Sequence, residues 1–182
     1  MKKEIIIAGF GGQGVLSMGK VLAYAALMEG REVTWMPSYG PEQRGGTANV
    51  TVIISDEAIS SPILNTFDVA VILNQPSLER FEQAIKPGGT LIYDPYGICV
   101  PPTRTDISIY TIDAMDLAAE MKNAKAFNMI VLGALLRIFD SGNLTYVEQA
   151  LAKTLPERHH HLIPANIEAI RRGMQAVQSQ SS

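Results

Sequence analysis

The chain has 182 residues, of which 47% are hydrophobic and 18% charged, with a formal net charge of -3. That length suits one domain with a sizeable core, taken as residues 1–182. The scattered basic residues lack the stripe a nucleic-acid binder needs, so no nucleic-acid partner is expected. A single cysteine, Cys99, excludes an internal disulfide and any zinc or iron–sulfur site built from this chain's thiols alone. That usage fits a reducing, cytoplasmic compartment. No secretory leader or membrane span is expected, because charge or glycine interrupts every apolar run.

The elements alternate along the first two thirds of the chain. Residues 4–8 form an apolar, mostly β-branched run that reads as a strand buried on both faces. Val15, Met18, Leu22, Ala25 and Ala26 recur at helical spacing, predicting a helix over 14–29 stopped by Gly30. Strands are predicted over 32–36, 47–54, 68–73, 90–93 and 107–112. A helix over 77–85 should stop at Pro87-Gly88-Gly89, and Asp113 should cap a helix reaching about Met121. Helices over 127–139, 146–151 and 164–177 follow, and the Ser-Gln tail reads as frayed. The pattern predicts an α/β three-layer sandwich with a mostly parallel, Rossmann-like sheet, right-handed crossovers and a helical C-terminal part.

Two loops carry the chemistry. The first, GFGGQG, places Gly9, Gly11 and Gly14 at G-x-G-x-x-G spacing between a strand and a helix. Such a turn brings backbone N–H groups and a helix N-terminus to an anion, and Gly12 and Gln13 extend that edge. The same glycines also serve plain strand-to-helix packing. A dinucleotide site needs an acidic residue at the end of the second strand to hold the ribose. Here that strand ends Thr34-Trp35-Met36-Pro37-Ser38, without a carboxylate. A P-loop is excluded because Val21, not Ser or Thr, follows Lys20.

The second loop, SYGPEQRGG, leaves the second strand and should lie at the same edge as the glycine turn. Tyr39 offers an aromatic face and a hydroxyl, and Gly40 and Pro41 shape a turn. Arg44 offers a planar fork for carboxylate or phosphate, or a salt bridge to Glu42 within an interface. Gly45 and Gly46 permit positive φ or close backbone approach.

GFGGQGV, SYGPEQRGGTANV, DVAVILN, GGTLIYD, FNMIVLGAL and PANIEAIRRG, in this order, resemble the gamma subunit of 2-oxoacid:ferredoxin oxidoreductases over nearly the whole chain. RGGTANV is more similar to the 2-oxoglutarate and 2-oxoisovalerate (ketoisovalerate) branch than to the pyruvate one. The resemblance implies a complex with alpha and beta subunits, and delta as a further candidate. That complex converts a 2-oxoacid and coenzyme A to acyl-CoA and carbon dioxide, reducing ferredoxin. Thiamine diphosphate, magnesium and iron–sulfur clusters would reside in the partner subunits. This chain would be inactive alone, with no catalytic residue. Gly9, Gly11, Gly12, Gln13, Gly14, Tyr39, Gly40, Glu42, Arg44, Gly45 and Gly46 would then form an edge facing coenzyme A or a partner subunit.

Asn74, Asp94 and Asn128 fall where strands end or a helix begins, positions that can face the ligand edge but more often cap helices or turns. His159-His160-His161 reads as a solvated or interface run, since adjacent imidazoles on a helix diverge. No metal site is expected. A self-sufficient Rossmann oxidoreductase and a stand-alone module for coenzyme A or another phosphate ligand are the competing readings. A homodimer is a candidate state of the isolated chain, because a surface built for partners would be exposed.

Overall fold

A computed structural model describes residues 1–39, 46–139 and 143–180. Strand β1 (Lys2–Phe10) leads through helix α1 (Val15–Met28) to β2 (Glu32–Tyr39), which turns back as β3 (Thr47–Ser55). Then come β4 (Phe67–Ile72), α2 (Gln75–Phe81), β5 (Ile85–Tyr93), β6 (Ser108–Thr111) and α3 (Ala114–Glu120). Helices α4 (Phe127–Phe139), α5 (Leu144–Thr154) and α6 (Ile163–Ala176) complete the helical part, and β7 (Gln178–Gln180) returns to the sheet.

The sheet order is β2-β3-β1-β4-β5-β6-β7. Strands β1, β4, β5 and β6 form the parallel centre that the alternation predicts. The flanks are antiparallel: β3 lies between β1 and β2, and β7 pairs with β6. The sheet is therefore mixed, within the expected α/β layering.

The strand period of two sorts the apolar run of β1 onto both faces. Ile5 and Ile7, with Val50, Val52, Val69 and Val71, join the large core beneath α1, α4, α5 and α6. Ile6 and Ala8, with Ala70, Ile72 and Leu91, join a smaller core whose helical cover comes from α2. Helices α4 and α6 cross at a reciprocal pair of glycines. A Cβ on Gly133 would overlap the Ile170 carbonyl oxygen, and one on Gly173 the Ile130 carbonyl oxygen. No other residue allows the two backbones to approach so closely.

Several boundaries differ from expectation. Strand β2 runs through Pro37 to Tyr39, because at the sheet edge a missing N–H costs no ladder bond. Helix α2 starts and ends early, continuing as a 3-10 turn over Glu82–Ala84. Pro87-Gly88-Gly89 lies inside β5 rather than between elements, at a register irregularity opposite Phe67–Val69. Gln178–Gln180 of the tail form β7, and the Gln180 side chain donates to Thr111 Oγ1 at 2.8 Å.

Candidate functional site

Gly9 closes the buried end of β1, Gly12 and Gly14 adopt left-handed φ values of 93° and 75°, and Gly14 is the N-cap of α1. Among the described residues, no side chain caps the N–H groups of that helix. A Cβ on Gly9 would overlap Gln13 Oε1 and meet Leu73 Cβ at 3.0 Å. Gly9 is thus the space into which the Gln13 amide folds. Gln13 Oε1 accepts the Phe10 N–H at 2.6 Å, and Gln13 Nε2 donates to the Leu73 carbonyl at 3.4 Å. Leu73 N–H in turn donates to the Ala8 carbonyl at 2.9 Å. The amide therefore bridges the ends of β1 and β4. These neighbours lead away in opposite directions along the sheet, the position where open α/β sheets place their ligand crevice.

Strands β1 and β3 pair as far as Phe10–Thr47, which brings the two sequence loops to one edge. The contact is direct: Gly11 N–H donates to the Gly46 carbonyl at 2.9 Å. The edge forms because β3 returns antiparallel between β1 and β2. Tyr39 ends β2, and Gly40, Glu42, Arg44 and Gly45 lie outside the described residues.

On the helical side of the turn, a cleft of about 360 Å³ is lined by Gly12, Gln13, Gly14, Lys125 and Asn128, among others. Asn128 sits in the first turn of α4 and does not cap it. Its Nδ2 instead donates to the Gly14 carbonyl at 3.4 Å, and a Cβ on Gly14 would strike this side chain. Of the two readings open for Asn128, a cap or a residue facing the ligand edge, its place in the cleft accords with the second. Lys125 and Asn128 also line an adjoining cleft of about 300 Å³ with Ser17, Lys20, Thr154 and Asn166. The exposed ammonium of Lys125 beside the uncapped start of α1 makes this edge suited to negative charge.

Asn74 caps α2 as expected, accepting the Ser77 N–H at 3.0 Å. Asp94 caps twice: its two oxygens accept the Tyr96 N–H at 2.9 Å and the Met115 N–H at 3.0 Å. It thus performs the service expected of Asp113, whose side chain makes no capping bond to α3. Burial pushes the Asp94 carboxyl above the usual carboxylate range, the two backbone N–H groups oppose this, and the charges of Asp113 and Asp116 add to it. His159, His160 and His161 lie on a 3-10 turn, where His160 Nε2 pairs with the Leu155 carbonyl at 3.0 Å. Among the described residues, no group of three His, Cys, Asp or Glu side chains is placed to hold a metal ion. Nor is any helix among them long and apolar enough to cross a membrane.

A family model described as pyruvate ferredoxin/flavodoxin oxidoreductase matches residues 4–176. The chain belongs to that family. Within the family, it is similar to the ketoisovalerate oxidoreductase subunit VorA of Methanothermobacter thermautotrophicus, with 45% identity over 74% of this chain and 28% of that protein. The chain thus spans less than a third of that relative's length. It is 34% identical to the 2-oxoglutarate synthase subunit KorC of Methanocaldococcus jannaschii, over 86% of each chain. Its structure superposes on the 2-oxoglutarate:ferredoxin oxidoreductase of Magnetococcus marinus, solved with 2-oxoglutarate, coenzyme A and succinyl-CoA bound. That match has a TM-score of 0.86 and 29% identity, over 99% of this chain and 32% of that one.

Proposed function

We propose that the chain is a single gamma-type domain acting as one subunit of a cytoplasmic 2-oxoacid:ferredoxin oxidoreductase. The assembly takes 2-oxoglutarate or 2-oxoisovalerate, coenzyme A and oxidised ferredoxin to acyl-CoA, carbon dioxide and reduced ferredoxin. Alpha and beta subunits, with delta in a four-chain assembly, carry thiamine diphosphate, magnesium and the iron–sulfur clusters. One cysteine in this chain accords with that division, since a cluster needs several thiolates. The chain is catalytically inert alone and serves assembly and the access of coenzyme A.

The observation that carries this reading is the Gly11–Gly46 bond, which gathers the glycine turn and the base of the RGG loop at one edge. Coenzyme A carries a pyrophosphate and a ribose phosphate. Lys125 beside the start of α1 and the sequence-predicted fork of Arg44 are suited to those groups. A Rossmann dehydrogenase is disfavoured, because β2 ends without a carboxylate and the Gln13 amide spans the strand ends where a dinucleotide would approach.

Purification of the tagged chain from its native host tests the assignment. The expected product is a brown, iron-containing assembly that oxidises one of these 2-oxoacids only with coenzyme A present. A lone chain that binds NADH would contradict it.

A further inference from the structure

We propose that Gln13 is a positioning residue: its amide ties the end of β1 to the end of β4, fixes the glycine turn, and so sets where Gly46 and the base of the β2–β3 hairpin sit. The side chain reaches Phe10 N–H and the Leu73 carbonyl, and it fills the space left by Gly9. It makes no hydrogen bond to Gly46. The link runs through Gly11, whose N–H lies one residue beyond Phe10 and holds the Gly46 carbonyl. Gly12 and Gly14, at positive φ, carry no side chain, so side-chain restraint on the turn comes from Gln13 at its β1 end and from Asn128 Nδ2 on the Gly14 carbonyl at its helical end. An amide is the group required. One atom must accept and the other donate, and a carboxylate would set a charge against the Leu73 carbonyl.

The kinetic side of this inference rests on the coenzyme A reading; the structural side does not. Gln13→Met keeps the length of the side chain and removes both hydrogen bonds. Backbone amide exchange is read in the full chain within its assembly. Exchange at Phe10 and at Gly11 should accelerate roughly tenfold, the worth of about one hydrogen bond, while Ile6 and Ile7 in the core of β1 stay protected. Acceleration at Gly11 is decisive, because Gln13 does not touch that N–H. In the assembled enzyme, KM for coenzyme A should rise roughly tenfold as the hairpin base shifts, with most of the loss in kcat/KM carried by KM.

Unchanged exchange at Gly11 with a raised KM would mean direct ligand contact by Gln13 and would overturn the proposal. So would accelerated exchange with an unmoved KM, if Arg44→Ala raises that KM. If neither variant moves KM, the coenzyme A reading fails and Gly11 exchange alone decides the positioning claim. Should Gln13→Met not fold, Gln13→Glu retains the oxygen toward Phe10 and loses the donor to Leu73. Phe10 should then stay protected while Gly11 exchanges faster, and wild-type protection at Gly11 would overturn the proposal.

Discussion

Gly11 donates its N–H to the carbonyl of Gly46 at 2.9 Å, so the two glycine-bearing loops of the sequence meet backbone to backbone. In a dinucleotide fold, the corresponding N–H groups are free to approach a pyrophosphate. Here the central glycine of the motif is committed to a neighbouring loop, and the amide of Gln13 braces the turn from beneath. The motif works first as a joint between strands. Its anion-facing side is the adjacent cleft, with Lys125 and Asn128.

The first consequence concerns the cost of side chains in the turn. Gly9→Ala forces a methyl group against Gln13 Oε1 and Leu73, so it should lose about 2–3 kcal/mol in urea denaturation. Gly12→Ala meets no atom of the described residues within 4 Å and bears the cost of its positive φ, about 1 kcal/mol. A larger loss at position 12 than at position 9 would contradict the packing account.

At the crossing of α4 and α6 the steric demand falls on backbone. Gly133→Ala and Gly173→Ala should each destabilise the chain by about 3 kcal/mol, because a carbonyl inside a helix cannot step aside. Thermal melting should show a lower Tm for both. A melting temperature equal to wild type for either would mean that the helices do not cross as closely as described.

Asp94 yields a pH-dependent prediction. Asp94→Asn retains one acceptor where two N–H groups need one each, which should cost about 1–2 kcal/mol. The folded carboxyl titrates above the 3.8 of an ordinary aspartate, chiefly through burial. Its protonated form is therefore favoured by folding. That contribution is complete below 3.8 and is lost as pH rises through the higher folded value. The stability advantage of wild type over Asp94→Asn should widen on acidification through this window. A gap that narrows would contradict the burial assigned to Asp94.

Lys86 bridges Glu4 and Asp68 at the opposite, amino-terminal ends of the central strands β1, β4 and β5. Burial raises the Glu4 carboxyl, but Lys86 and Lys2 outweigh it, and the net position lies below 4.5. Glu4, with Asp68 assisting, raises Lys86 above 10.5 against the opposing effect of burial. The Glu4 contribution is present above 4.5 and fades as pH falls through the lower folded value; that of Lys86 is present below 10.5 and fades as pH rises through the higher one. Chemical denaturation of Lys86→Met should show a loss of at most about 1 kcal/mol at neutral pH, given partial exposure. The loss should shrink at both extremes.

Strand β1, helix α1 and helix α4 were legible because their apolar periodicity is strong and their ends carry glycines or a shift in pattern. The meeting of the two loops was legible at Gly46, though the neighbour relation of β3 to β1 was not. Alternation along residues 47–54 tells which face a side chain takes and not which strand lies beside it. Pro37 reads as a terminator unless the strand is known to lie at an edge. Gln178-Ser179-Gln180 carries no apolar signal, and its strand exists through pairing with β6. Asn128 reads locally as a cap, and only tertiary packing places it against Gly14.

Contact between this edge and coenzyme A is the central proposal. Isothermal titration of coenzyme A into the assembled enzyme, wild type against Arg44→Ala, tests it most directly. Direct contact requires that Arg44→Ala weaken the Kd roughly tenfold or more, as for loss of a charge-assisted contact to phosphate. Equal affinity in the two proteins would contradict direct contact and leave the edge as an assembly surface.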